Sequence, residues 1–278
     1  MILRYLVPDG EPRKIQNILR RELGLSSGLV SRLKFRDAFL VNGVPVHTDF
    51  PVRPGDEIRV LLDERAPAYP AEPGPLDILY EDEAMIALDK PAGLIMHPTY
   101  NRTAGTLANR VLAHYQQTGQ ACAVHPVSRL DRDTFGVVLL AKNAHVHTLL
   151  IGAPKEKIYE ALVVGTPFPL AGTVDAPIAR LSPTSLLRCV RTDGKPAVTQ
   201  YETLEPGEIS LVRLRPVTGR THQLRVHMAF IGCPILGDPQ YGRAEKFTQQ
   251  LCARTLRLNH PLTGAAMEFT SKQPLRRE

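Results

Sequence analysis

The chain has 278 residues, 43% of them hydrophobic and 22% charged, with a formal net charge of +6. That length suits one large domain or two unequal ones with ample core, the composition excludes a disordered or fibrous chain, and the charge mildly favours a polyanionic partner. Cys122, Cys189, Cys233 and Cys252 are scattered with no C-x-x-C pair, Met1 to Asp9 lacks a signal-peptide apolar core, and no apolar run could span a bilayer. The expectation is a cytoplasmic protein with reduced thiols and no membrane contact.

Residues 1–62 read as a small α/β module. Ile15, Ile18, Leu19 and Leu23 recur at helical spacing. Ser26 or Ser27 can cap a second short helix bearing Leu29, Val30 and Leu33. Phe39 to Val41 reads as a strand entering an Asn42-Gly43 hairpin turn, and Pro54-Gly55-Asp56 turns the chain into Glu57 to Leu61. Basic residues crowd the two helices: Arg13, Lys14, Arg20, Arg21, Arg32, Lys34 and Arg36 stand against Glu22 alone. A solvated helical face is the plain explanation of such a run, and a phosphate-binding face the functional one.

Residues 63–76 are proline-rich and aperiodic, which predicts a semi-rigid extended linker. Beyond it, residues 77–278 read as α+β. Short strands are expected within 78–98, 136–142, 157–165, 196–216 and 254–270, and helices at 105–117, near 144–152 and at 221–231. There is no P-loop, no dinucleotide fingerprint and no nucleophile elbow. His145 and His147 are two residues apart, which separates their rings on a helix and argues against a shared metal. His222 and His227 are expected to shape a cleft or meet phosphate.

Between two apolar runs lies Ser128-Arg129-Leu130-Asp131-Arg132-Asp133-Thr134-Phe135-Gly136, one carboxylate between two arginines. Alone, such a cluster is usually a solvated loop. Three further segments accompany it: Lys90-Pro91-Ala92-Gly93 with His97-Pro98, Lys157-Ile158-Tyr159-Glu160-Ala161, and Gly219-Arg220-Thr221-His222-Gln223-Leu224-Arg225-Val226-His227. Gly237-Asp238-Pro239-Gln240-Tyr241-Gly242 follows. Together and in this order they resemble the motifs of the RluA-type pseudouridine synthases. Ser128 and Phe135 depart from that pattern, which often has histidine and serine there. Residues 1–62 resemble the S4-like RNA-binding module that many members carry.

The resemblance implies a catalytic domain with a large mixed, mainly antiparallel sheet around a central cleft. It makes Asp131 the catalytic residue, Tyr159 the ring that stacks on the target base and Arg225 the partner of Asp131. Arg129, Arg132, Lys157, Arg220, His222, Gln223 and Leu224 become substrate-binding candidates. The implied reaction breaks the N1–C1′ bond of uridine, turns the uracil and joins C5 to C1′. It is redox-neutral and involves no net hydrolysis, so neither cofactor nor metal is expected. The carboxylate can attack C1′, help abstract a ribose proton or add to C6, and the Tyr159 hydroxyl can take part in removing the C5 proton. The partner is expected to be RNA, ribosomal more than transfer RNA, and the protein a monomer. The rivals are a non-catalytic RNA-binding or ribosome-assembly protein and a nucleoside or glycoside hydrolase.

Overall fold

The computed structural model describes residues 1–62, 68–242 and 248–277. The N-terminal module contains β1 (Ile2–Leu6), β2 (Arg13–Lys14), α1 (Ile15–Arg21), α2 (Ser27–Leu33), β3 (Phe39–Val41), β4 (Val44–Pro45), β5 (Pro51–Val52) and β6 (Glu57–Leu61). Strands β1-β6-β3-β4 form one sheet, and β2 pairs with β5. Ile15, Ile18 and Leu19 of α1 and Leu29, Val30 and Leu33 of α2 bury against Phe39, Ile58 and Val60 in a core of the module's own. Ser26 caps α2 as expected, its hydroxyl accepting from the Leu29 amide at 3.2 Å. Asn42 and Gly43 both have positive φ, 50° and 83°, the conformation that a two-residue hairpin needs.

The main body follows as β7 (Ile78–Glu81), β8 (Met85–Lys90), α3 (Leu107–Gln117), β9 (His125–Pro126), β10 (Phe135–Ala141), α4 (Ala144–Gly152), β11 (Lys155–Val164), β12 (Ala171–Asp175), β13 (Ile178–Arg180), β14 (Arg188–Val190), β15 (Val198–Glu205), β16 (Ile209–Pro216), α5 (Gln223–Phe230), β17 (Leu251–Asn259) and β18 (Ala266–Thr270). A ten-stranded sheet runs β12-β15-β16-β11-β17-β10-β8-β7, with β18 added to β17 and β9 to β10. Its pairings are antiparallel except β10 with β17, which is parallel. This is the α+β sheet expected from the sequence.

The apolar run of β10 does not alternate because both its faces are covered. Val138 and Leu140 pack with Val111 and Tyr115 of α3. Val137 and Leu139 pack with Val146 and Leu150 of α4 on the other side. Each such aliphatic side chain contributes roughly 1.5–3 kcal/mol by leaving water. Thr106 caps α3 in a reciprocal box with Asn109.

Three features differ from expectation. The expected linker includes residues 63–67, which lie outside the described residues. Its described part is seated on α3: Asn109 donates to the Pro70 carbonyl at 2.7 Å, and the Tyr69 ring meets His97 edge-on at 5.1 Å. The edge strand β12 and the β13–β14 hairpin, an arm outside the large sheet, were announced by no periodicity, because these strands are short and separated by Pro and Ser-rich turns. Helix α5 starts at Gln223 rather than 221, since His222 adopts φ 58°. No helix among the described residues is long and apolar enough to cross a membrane.

Candidate active site

Asp131 lies on the loop that leads into β10, and the loop's far end is tightly defined. Gly136 has φ 108°, and a Cβ there would sit 2.4 Å from the Ala253 carbonyl oxygen of β17. Only glycine lets the two parallel strands approach so closely. The near side is held by Lys90, which is fully buried. Its Nζ donates to the carbonyls of Pro91, Leu94 and Arg132 at 2.9, 2.8 and 2.9 Å. Burial pushes its pKa down to about 8, against the opposing pull of Asp133 and Asp131. The Lys-Pro-x-Gly turn is thereby bolted to the residue that follows Asp131.

Arg225 reaches Asp131 from α5. Its Nη1 donates to Asp131 Oδ2 at 2.9 Å, while Nε and Nη2 grip Asp238 at 2.7 and 2.8 Å and Nη2 also donates to Gln240 at 2.9 Å. The guanidinium stacks 5.0 Å from the Tyr241 ring centroid. The Asp131 side chain is 32% exposed, that of Arg225 5% and that of Asp238 0%. Burial opposes charge on Asp238, but the guanidinium and the amides of Gln240 and Tyr241 outweigh it and hold its pKa below the ordinary carboxylate value. Burial likewise opposes charge on Arg225, and Asp238 and Asp131 outweigh it, so its pKa is raised. The Asp238 pair fixes the guanidinium and leaves one nitrogen for Asp131, a rigid bidentate-plus-one arrangement that lysine could not reproduce.

Tyr159 stands on β11 where its register against β17 shifts between Ile158 and Glu160. Such a bulge re-aims a side chain, and here the ring faces the cleft. Burial, with the charge of Asp131, pushes the Tyr159 hydroxyl up to about 12. It therefore stays a neutral phenol near pH 7, which favours a stacking ring over a resident proton acceptor.

Asp131, Tyr159 and Arg225 line one cleft of about 770 Å³ together with Arg129, Lys157, Arg220, His222, Gln223 and Leu224. Arg132 does not line it; its guanidinium clamps Asp133 at 2.9–3.2 Å. Gln223 contributes only to the wall: its amide bonds Thr218, the Arg220 amide, the Val198 carbonyl and Thr199, so no amide hydrogen-bonding atom is left over. Leu224 is buried in the adjoining core. Arg220 donates to the Pro196 carbonyl at 2.9 Å. The side chains of Arg129 and Lys157 make no hydrogen bond or ion pair among the described residues, and burial lowers the Lys157 pKa. His227 lies in the core, bonded to Thr199 and the Ala176 carbonyl, rather than facing solvent.

In the N-terminal module the basic residues are spread more widely than the helices. Arg20 and Arg21 end α1 and Arg32 lies in the last turn of α2, but Arg13 and Lys14 form β2 and Lys34 and Arg36 lie in the turn after α2. Arg13 pairs with Glu22 at 3.1 Å, while the other six side chains are exposed. Among the described residues no group of three His, Cys, Asp or Glu side chains stands close enough to share a metal.

Asp238, Gln240, Tyr241 and Lys90 are the functional neighbours that motif reading quoted without assigning a role. Their spacing was visible; what they hold depends on which segments the sheet brings together.

Residues 84–230 match the RNA pseudouridylate synthase family. The chain is 40% identical over 263 residues to the RNA pseudouridine synthase YjbO of Bacillus subtilis, covering 91% of this chain and 93% of that one. It is 39% identical over 220 residues to ribosomal large subunit pseudouridine synthase D of Pseudomonas aeruginosa, covering 72% and 68%. Among solved structures, human RNA pseudouridylate synthase domain containing 1 superposes with a TM-score of 0.59 at 27% identity, over 73% of this chain and 86% of that one. The cleft thus sits in a chain that belongs to the RluA/RluD-type RNA pseudouridine synthases, isomerases that convert uridine to pseudouridine in RNA.

Proposed function

We propose that this chain modifies uridines of ribosomal RNA in the cytoplasm as a monomer, with Asp131 as the catalytic carboxylate. The observation that carries this reading is the placement of Asp131: its Oδ2 is held 2.9 Å from an immobilised Arg225, at a cleft walled by Tyr159. The fixed cation keeps the carboxylate aimed. The Tyr159 ring supplies a flat apolar face on which a uracil turned out of its stack can rest. The side chains of Arg129 and Lys157, which have no anionic partner among the described residues, are placed to meet the phosphates flanking the flipped nucleotide. The exposed cations of the N-terminal module extend the grip to structured RNA beyond the target.

The cleft argues against the hydrolase reading. Glycoside hydrolysis ordinarily uses two carboxylates across the scissile bond. Among the described residues Asp131 is the single acid lining the cleft, since Asp133 faces Arg132. A non-catalytic RNA-binding role would leave no reason for a buried Arg225–Asp238 pair aimed at an accessible carboxylate. Ribosomal RNA is favoured over transfer RNA because several relatives are named as large-subunit enzymes.

Asp131→Asn tests the assignment. It preserves shape and removes the charge, so tritium release from RNA labelled at uridine C5 should fall by roughly three orders of magnitude or more. RNA affinity should stay within a few-fold. Turnover near the parent rate would sink the proposal. Chemical mapping of pseudouridines in cells with and without the gene identifies the RNA.

A further inference from the structure

The Tyr241 hydroxyl lies between two nitrogens. The Arg188 amide donates to it at 2.9 Å, and His222 Nδ1 is 2.8 Å away. An amide can only donate, and a phenol has one proton. If Nδ1 also carried a proton, the phenol oxygen would receive two N–H groups and its own proton would lose the His222 acceptor. The arrangement that satisfies all three groups has Tyr241 donating to an unprotonated Nδ1. A neutral imidazole with Nδ1 as acceptor carries its hydrogen on Nε2.

That Nε2 is 3.8 Å from Asp131 Oδ2, the same oxygen that Arg225 holds at 2.9 Å. We propose that His222 is a positioning residue for Asp131: a neutral imidazole whose Nε2–H, set by Tyr241 and the Arg188 amide, secures Oδ2 alongside Arg225. Oδ1 is then the oxygen presented to the nucleotide. This rests on Asp131 being the catalytic carboxylate. At 3.8 Å the contact is longer than a hydrogen bond, and the positioning role calls for it to tighten in the substrate complex. Arg188 belongs to β14, so the chain of contacts also ties the arm to the carboxylate.

Burial is the largest influence on His222 and disfavours its cation; Asp131 and Asp238 favour the cation, and Arg225 and Arg188 oppose it. The net effect lowers its pKa. Protonation would also place an N–H on Nδ1 against the Tyr241 O–H and break the relay.

The test uses the full chain labelled with ¹⁵N-histidine. Long-range ¹H–¹⁵N spectra at pH 7 should show His222 as the Nε2–H tautomer. The resonance is assigned by its loss in His222→Asn, a residue that tolerates the left-handed backbone while its short amide falls short of Oδ2. In Tyr241→Phe, the phenol O–H no longer opposes a proton on Nδ1, so the His222 pKa should rise relative to the parent. In both variants kcat should drop roughly tenfold with KM within about twofold. An Nδ1–H tautomer or an imidazolium at pH 7 overturns the proposal, as does parent kcat in both variants. If the Nε2–H tautomer is seen but Asp131→Asn remains active, the fault lies with the assignment of Asp131, and the positioning role falls with it. If Asp131→Asn is inactive and the tautomer is wrong, only the role of His222 falls.

Discussion

Arg225 and Arg32 both lie on short helices, of eight and seven residues, and they illustrate two uses of the same side chain. Arg225 is buried and bonded to three side chains from two other segments. Arg32 is exposed, beside other exposed cations of the N-terminal module. A buried charge must be paired, so its geometry is set to fractions of an ångström and its loss is severe. An exposed charge is hydrated and mobile, so it acts through numbers and long-range attraction, and each is individually dispensable. The cleft is built the first way, as the proposed chemistry on one nucleotide requires. The module is built the second way, suited to a polyanion of variable shape.

Arg225→Met presses hardest on this contrast. It removes the partner of Asp131 and leaves Asp238 charged with zero exposure. Activity should vanish, and stability at pH 7 should fall by about 3–5 kcal/mol, the usual cost of orphaning a buried charge. Adding Asp238→Asn, which removes that charge, should restore most of the stability and none of the activity. The pH dependence has a definite sign. In the parent, the lowered Asp238 pKa contributes stability above the unfolded carboxylate value, lost as pH falls through the folded one. In Arg225→Met the unpaired carboxyl is raised instead, so the penalty shrinks on acidification. Urea denaturation at pH 7 and near pH 4.5 should therefore show the gap narrowing. A constant gap would mean that Asp238 does not carry the difference.

How much of this was legible follows the same division. The β10 run, the capped α2 and the Asn42-Gly43 turn are local, so spacing and turn chemistry reveal them. Asp131 and Arg225 were found through motif resemblance, but that Asp238 clamps Arg225 depends on a turn bringing residues thirteen apart together. That Lys90 holds the Arg132 carbonyl depends on β8 pairing with β10. Gln223 and Arg132 looked like ligand contacts because they are polar residues inside motifs, yet one is bonded to its own loop and the other to the neighbouring Asp133. Side-chain polarity does not say which partner lies nearest.

Gly136→Ala tests the backbone side of the cleft. An added Cβ would meet the Ala253 carbonyl oxygen at 2.4 Å and its nitrogen at 2.8 Å, and the backbone has φ 108°. Neither clash can be relieved by turning a flexible side chain, so β10 and β17 must part. Overpacking and strain of this kind cost about 1–3 kcal/mol each. Turnover should fall by more than the stability loss explains, because the loop carrying Asp131 enters β10 immediately before this glycine. Parent-like turnover in the folded variant would show that the strand junction does not position the carboxylate.

The smallest expected effect on chemistry comes from removing residues 1–66. The deletion takes away the module's own core and its exposed cations and leaves the cleft residues in place. The seam it opens is modest: Met1 packs on the cluster beneath α4, and its sulfur meets the Asn143 amide at 3.4 Å. The remaining body should fold and isomerise uridine in a short single-stranded substrate at close to the parent rate. Its affinity for structured RNA should weaken and become less sensitive to salt. Each phosphate that the truncated protein no longer neutralises lowers the slope of log affinity against log salt by roughly 0.7–0.9. The ceiling on that change is set by the seven described cations of the module that are exposed and make no ion pair, Arg53 joining the six around the helices while Arg4, Arg13 and Arg59 are engaged by Glu57 and Glu22. Affinity measured over a salt series for both proteins on the same RNA decides the matter. Identical slopes would mean that the exposed charges of the module are merely solvated, and the contrast between the two regions would reduce to one site and one bystander.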